Sequence, residues 1–424
     1  MKYIIPFVSG ALLALATFSN VWWVQMIPFV CIAPVFILLK DLEYKYQNLA
    51  RHIFFGAWLL PVTYWYYSFM PWWLAVLASF GSVLLLANVF HVFSHKAFQK
   101  MSFGLKLLII IIIWSGFTFL RIHLPLLENW WLPHLGYSVW RNSGALQIAI
   151  FGGEAALDAL VLFFNALVAI AFVRLKRKTA ILAPAAIIAV IAIANAVVWA
   201  QPLPKIPQVF SLQQMTVGGV DIPAISADIE VLKEKTAAAL KNAAPVGGVI
   251  VVWPENSIPE ELEGFVVQAA AELQTAIVYH KVEVREGAKY KKVVLLNERG
   301  DEILFNNKQH IAPDENGAPA SSSNHASLYG YTVTAYVCYD MHYPDSVSRL
   351  RGADIAFVPI NDAAYGYLQK VFHMADVAIH ARQAGVSIVS ASTNGPTMFI
   401  SYNGVVRRQL PFGEEGVLYA VGIV

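Results

Sequence analysis

The sequence predicts a chain in two parts: a polytopic α-helical membrane domain of about seven spans over residues 1–203, then an α/β sandwich over residues 204–424. Three observations carry this. The chain is 57% hydrophobic and only 14% charged, with mean hydropathy +0.54, where a soluble protein carries nearer a quarter charged residues. The charge is unevenly placed: residues 1–200 hold five acids and thirteen Lys/Arg, a balance of +8, and the remainder holds 23 acids and 17 basic residues, a balance of −6. Finally, long apolar runs stop at a proline-rich connector, "QPLPKIPQ", after which short β-branched runs alternate with helical stretches.

Spans of about 20 apolar residues are read at 4–20, 24–40, 53–70, 72–94, 104–121, 146–173 and 180–200. Lys2 ahead of the first run resembles the start of a signal peptide, but no small-residue cleavage site follows, so the run is expected to stay as an uncleaved helix. With the N-terminus in the cytoplasm, eleven of the thirteen basic residues of this half fall in inner loops, among them Lys40, Lys45, Arg51, Lys96, Lys100 and the run at 174–178. The positive-inside rule favours that orientation and places everything after residue 200 outside the membrane. The pairs Trp22–Trp23, Trp72–Trp73 and Trp130–Trp131 then lie in outward loops, as an interfacial belt or as walls for a hydrophobic ligand. Glu154 and Asp158 share a helix face near the outer end of a long span, where acids are either functional or lifted above the lipid.

The second half reads as strands in "GGVIVVW", "TAIVYHKVEV", "YTVTAYV", "DIAFVPI", "VSIVSAS" and "GVLYAVGIV", with helices at "EELEGFVVQAAAEL" and near 364–384. "PASSSNHAS" (319–327) reads as a mobile loop. Basic residues never gather on this half, so no nucleic-acid partner is expected. The histidines His310, His325, His342, His373 and His380 fit no metal-ligand spacing.

Three strand ends carry chemistry: Glu255 in "VIVVWPENS", Lys308 in "ILFNNKQH" and Cys338 in "TAYVCYD". Ligand-handling residues collect at carboxyl ends of strands in α/β sheets. A lone cysteine after a strand is ordinarily a small buried hydrophobe. An outward domain favours paired thiols or none, however, and the only other cysteine, Cys31, lies in the second span and cannot reach Cys338. Together the three types suit acyl transfer through a thioester. The carboxylate takes the thiol proton, the ammonium stabilises the tetrahedral oxyanion, and the thiol holds the acyl group.

"WPENS", "NNKQHIAP" and "VCYDMHYPD", in that order, resemble the Glu–Lys–Cys motifs of the nitrilase (carbon–nitrogen hydrolase) superfamily, and "GADIAFVPINDA" and "STNG" also resemble its segments. Seven spans ahead of such an outward domain resemble the apolipoprotein N-acyltransferase family. The resemblance implies an αββα sandwich on the periplasmic face of a bacterial inner membrane. It implies Glu255, Lys308 and Cys338 as catalytic residues, a phospholipid acyl donor, a lipoprotein acceptor acylated on its N-terminal amine, and no metal or organic cofactor. Glu315, Tyr339, Asp340 and Asn361 are carried over as site-lining residues. The chain departs from the family pattern at Asn316 (Glu315 stands one residue early), at Asp340 in place of Glu, at Ala364 in place of an aromatic residue, and at His380 in place of an acid. It also ends at "AVGIV", where the resemblance implies one further helix. These departures leave open a divergent membrane enzyme with another acceptor, an amidase or an acyltransferase associated with conjugal transfer. A third reading, a transport or scaffold protein with an inactive outer domain, rests on Glu154 and Asp158.

Overall fold

The structure, a computed structural model, describes the chain except residues 125–131, 204, 216–221, 244–247, 313–314, 364 and 421–424, and the side chains of 177 and 178. Glu128, the Trp130–Trp131 pair, Ala364 and the last four residues therefore lie outside the described residues. The chain divides into two compact units, Met1–Gln201 with Gly366–Ala375, and Pro202–Tyr365 with Asp376–Val424.

Among the described residues of the first unit, five helical stretches are long and apolar enough to cross a membrane: Val24–Asp41, Trp72–Phe98, Phe103–His123, Gly153–Arg174 and Leu182–Trp199, with a shorter apolar helix at Ile4–Phe18. Two expected spans are drawn differently. The helix read at 53–70 begins at Tyr44 and ends at Val62, with Pro61 in its last turn and a separate 3-10 turn at Tyr64–Ser68. Proline removes the N–H that would continue the ladder and crowds the preceding turn. The span read at 146–173 begins at Gly153, after a 3-10 turn at Gln147–Phe151, so Glu154 falls in its first turn, where the helix dipole favours an acid.

Lipid offers no hydrophobic drive between helices, so small residues and internal hydrogen bonds hold them. A Cβ at Gly144 would stand 2.6 Å from that of Ala194, which fixes the close approach of Ser143–Leu146 to Leu182–Trp199. The break within Val24–Asp41 is covered by one side chain. Asn165 Oδ1 accepts the N–H groups of Ile32 (2.8 Å) and Ala33 (2.9 Å), while its amide donates to Pro28 O (2.7 Å). Asn165→Leu removes these partners from a fully buried site. We expect a loss of about 2–3 kcal/mol, read as a lower melting temperature of the detergent-solubilised protein.

Asp158 is wholly buried. Its Oδ2 accepts from Trp114 Nε1 and Thr118 Oγ1, both at 2.8 Å, and its Oδ1 accepts the Gly136 N–H at 2.7 Å and faces His134 Nδ1 at 3.2 Å. Trp114 in turn stacks on Phe55 and Trp58. Trp22, Trp23, Trp72 and Trp73 are exposed.

Among the described residues, the second unit is built on thirteen strands: β1 (Gln208–Gln213), β2 (Val249–Val252), β3 (Ile258–Pro259), β4 (Ala276–Arg285), β5 (Ala288–Leu296), β6 (Glu302–Asn307), β7 (Ala326–Leu328), β8 (Tyr331–Ala335), β9 (Ile355–Asn361), β10 (Ser387–Thr393), β11 (Met398–Ile400), β12 (Val406–Gln409) and β13 (Gly416–Ala420). One sheet runs β13-β1-β2-β4-β5-β6 with β3 beside β4, and the other runs β12-β11-β10-β9-β8-β7. The pairs β1–β2, β2–β4, β8–β9 and β9–β10 are parallel, and the remaining long pairs are antiparallel. Strands β2, β9 and β10 are buried almost throughout, which is why they read as runs of apolar and small residues rather than as alternations of apolar and charged ones.

The sheets face one another, β1 against β10 and β2 and β4 against β9. Helices Ile222–Leu240 and Glu263–Leu273 cover the outer face of the first sheet through Ile229, Leu232, Val266 and Ala270, packed on Phe210, Val251 and Tyr279. Trp253 fills that layer and donates its indole N–H to Thr236 Oγ1 at 3.0 Å. The helix between β9 and β10, expected near 364–384, is Tyr367–Ala384.

Candidate active site

The three strand ends converge. β2 stops at Val252, Trp253 N–H still bonds Val278 O of β4 (2.9 Å), and Pro254 then ends the ladder. Glu255 follows, and its N–H reaches Ile360 O of β9 in the opposite sheet (3.4 Å). Lys308 comes directly after β6, its N–H held by Lys291 O of β5 at 2.8 Å. Cys338 opens a 3-10 turn just beyond β8 with φ +37°, a left-handed conformation that costs a non-glycine residue about 1–3 kcal/mol and collects at functional sites.

Lys308 is 0% exposed, and its Nζ lies 3.1 Å from Glu255 Oε1 and 2.7 Å from Glu315 Oε1. Glu315 Oε1 is also 3.2 Å from Lys291 Nζ, and Glu315 Oε2 accepts the Ala312 N–H at 3.2 Å. Burial alone would strip the proton from Lys308. The charges of Glu255, Cys338 and Glu315 outweigh it and hold the ammonium well above its ordinary range. Burial pushes the Cys338 thiol up, and the Glu255 charge pushes it further, against an opposing pull from Lys308. The resting site therefore holds a thiol beside an ammonium, and a thiolate forms only where a neighbouring base takes the proton. Glu255 is 2% exposed, and its Oε2 has no hydrogen-bond partner among the described residues. A carboxylate oxygen left unpaired in a buried site is a ready proton acceptor.

The site-lining residues divide. Glu315 stands directly on the lysine, although its position in the sequence is one residue off the family pattern. Asp340 acts through the backbone: its Oδ1 accepts the N–H groups of Gln309 (3.0 Å) and His310 (2.9 Å), tying the Cys338 turn to the two residues after Lys308. Burial raises the Asp340 carboxyl above its usual range, more than Arg349, 3.8 Å away, and these N–H groups lower it. Asp345 holds the same segment through Gln309 and His310. Burial would raise its carboxyl, but the hydrogen bond from His310 and the charge of Arg349 bring it below its usual range. Tyr339 is buried with its ring against His342 and Tyr343. Asn361 is exposed at the end of β9, on the wall of a cleft of about 730 Å³ that reaches Glu255 and is also lined by Asn256, Lys291 and Asn316.

One neighbour was not singled out from the sequence. His280, in the middle of β4, is wholly buried with Nε2 3.7 Å from Glu255 Oε1. Its only signal was a histidine at an inward position of a strand beside the "WPENS" strand.

A thiol on one strand end, with a buried carboxylate and ammonium on two others across a two-sheet sandwich, defines a carbon–nitrogen hydrolase domain, and residues 213–421 match that family model. Residues 9–167 match the apolipoprotein N-acyltransferase N-terminal domain. With both domains in one chain, the protein belongs to the apolipoprotein N-acyltransferase family, the membrane-anchored branch of the nitrilase superfamily. It is 26% identical over 204 residues to an apolipoprotein N-acyltransferase of Pseudomonas syringae pv. tomato, covering 40% of each chain. It is 23% identical over 203 residues to that of Pseudomonas putida, again 40% of each, and 32% identical over 97 residues to that of Shewanella oneidensis, covering 22% of this chain and 19% of the relative. The matched stretch thus spans about two fifths of the length of the first two relatives. Solved structures similar to it include an amidase from Nesterenkonia sp. (17% identity, 52% of this chain and 90% of that one, TM-score 0.42) and a carbon–nitrogen hydrolase from Helicobacter pylori G27 (16%, 50% and 88%, TM-score 0.43).

Proposed function

We propose that this chain is an N-acyltransferase of lipoprotein biosynthesis, with a membrane domain over 1–203 and a catalytic domain over 204–424 on the periplasmic side of a bacterial inner membrane. The observation that carries this reading is the buried ammonium of Lys308 held between Glu255 and Glu315 beside the Cys338 thiol. In the first half-reaction Glu255 Oε2 takes the thiol proton and Cys338 Sγ attacks the ester carbonyl of a phospholipid. Lys308 stabilises the oxyanion, and the lysophospholipid leaves with the proton returned by Glu255. In the second, the α-amino group of a diacylglyceryl-cysteine attacks the thioester. Glu255 receives the amine proton and passes it to the departing sulfur. The orientation is supported by the eleven basic residues assigned to inner loops.

Incubation of the detergent-purified protein with phospholipid should add one acyl mass, labile to hydroxylamine, that Cys338→Ser lacks. No adduct with any phospholipid would remove the reading. A second reading, transfer to another acceptor or to water, is supported by the polar cleft wall of Asn256, Asn316 and Asn361 over Glu255. The same adduct separates the two. Discharge by a diacylglyceryl-cysteinyl peptide supports the first reading, whereas discharge by water alone supports the second.

A further inference from the structure

His280 occupies a position that the rest of β4 would fill with a β-branched residue. Ile277, Val278 and Val282 are its strand neighbours, and its own ring is completely enclosed. Among the described residues, neither Nδ1 nor Nε2 has a hydrogen-bond partner. A buried polar group left unpaired is costly and calls for a reason. The ring points at Glu255 Oε1, at 3.7 Å, one small side-chain movement beyond hydrogen-bond range. Catalytic contacts are often this long before substrate arrives.

Among the described residues, the charged groups acting on the ring are Glu255 beyond β2, and Lys291 on β5, Lys308 beyond β6 and Glu315. Glu263 bonds Tyr279 and Lys281, the two residues flanking His280 on β4. Burial first, then the charges of Lys308 and Lys291, keep the imidazole neutral, against a weaker pull from Glu315. A neutral ring carries one N–H, and Nε2 is the nitrogen that faces the carboxylate.

We propose that His280 is a positioning residue for the general base, its Nε2–H serving as a second, uncharged donor to Glu255 Oε1. This rests on Glu255 being the base for Cys338. In the resting site Oε1 is held by Lys308 at 3.1 Å, and Oε2 is left to take the thiol proton. When the Lys308 ammonium turns toward the developing oxyanion, its grip on Oε1 weakens. His280 stands where it can take that oxygen over, so that the carboxylate does not rotate while Oε2 carries the proton. An uncharged donor does this without lowering the basicity of Glu255 as a second cation would.

The test is the pH profile of Cys338 acylation by the p-nitrophenyl ester of a short fatty acid, followed by released nitrophenol in the full-length protein. The reaction builds the oxyanion toward which Lys308 turns: the sulfur–acyl bond forms, p-nitrophenoxide leaves, and Glu255 takes the thiol proton. In His280→Leu the carboxylate loses a donor to its charged form, so the acid limb should move to higher pH by about half to one unit. The rate on that limb should fall roughly threefold to tenfold. His280→Gln, which keeps an N–H donor of similar reach, should restore the wild-type limb. Should His280→Leu not fold, His280→Met against His280→Gln makes the same comparison. A uniform drop in rate at every pH, equal in Leu and Gln variants, would show a packing role only and overturn the proposal. Glu255→Gln should replace the acid limb with a simple thiol titration. If it leaves the limb in place, the base reading itself fails and the His280 role falls with it. A limb altered by Glu255→Gln but not by His280→Leu overturns the His280 role alone.

Discussion

Lys308→Met will both stop Cys338 acylation and destabilise the second unit, the largest combined effect expected of any single substitution. The methionine matches the length of the stem, but its loss of charge leaves Glu255 and Glu315 facing each other in a buried site with no ammonium between them. Breaking a buried ion pair from one side costs about 3–5 kcal/mol. Removal of an oxyanion donor takes a further factor of about a hundred to a thousand from the rate. A thermal melt in detergent should show the variant unfolding well below the wild type, and the thioester adduct should stay absent. Lys308→Arg should recover part of the stability and none of the rate, because a forked guanidinium does not fit a fully enclosed point-charge site.

Asp158→Leu will disable the first unit without touching the second. One carboxylate there accepts from Trp114, Thr118 and the Gly136 N–H and faces His134, joining helices Phe103–His123 and Gly153–Arg174 to the turn at Leu135–Ser138. Leucine leaves those donors buried and unpaired, a loss of about 3–5 kcal/mol. Asp158→Asn keeps the acceptor oxygen and should recover roughly half of it. Size-exclusion profiles of the solubilised variants after graded heating will rank the three. If Asp158 carried substrate or protons instead, Asp158→Asn would lose activity at unchanged stability.

Much of this was legible because each signal was local. The short β-branched and apolar runs alternating with helical stretches announced an α/β sandwich, and Glu255, Lys308 and Cys338 were placed at the ends of three such runs, which became β2, β6 and β8. Glu315 entered only through the resemblance, and its Oε1 stands 2.7 Å from Lys308 Nζ. What escaped depended on residues apart in the sequence. His280 looks like an ordinary strand residue until β2 is laid beside β4 and brings Glu255 within 3.7 Å. The helix ends at Val62 and Gly153 were missed because hydropathy reads through a proline or a glycine that the backbone does not.

Glu255 and Lys308 stand on one sheet, and Cys338 stands on the other. Cys338 meets Glu255 and Lys308 only where the two layers are packed, an approach marked by the bond from the Glu255 N–H to Ile360 O. Labelling of Cys338 at its native rate therefore gauges how much of a preparation has both layers docked.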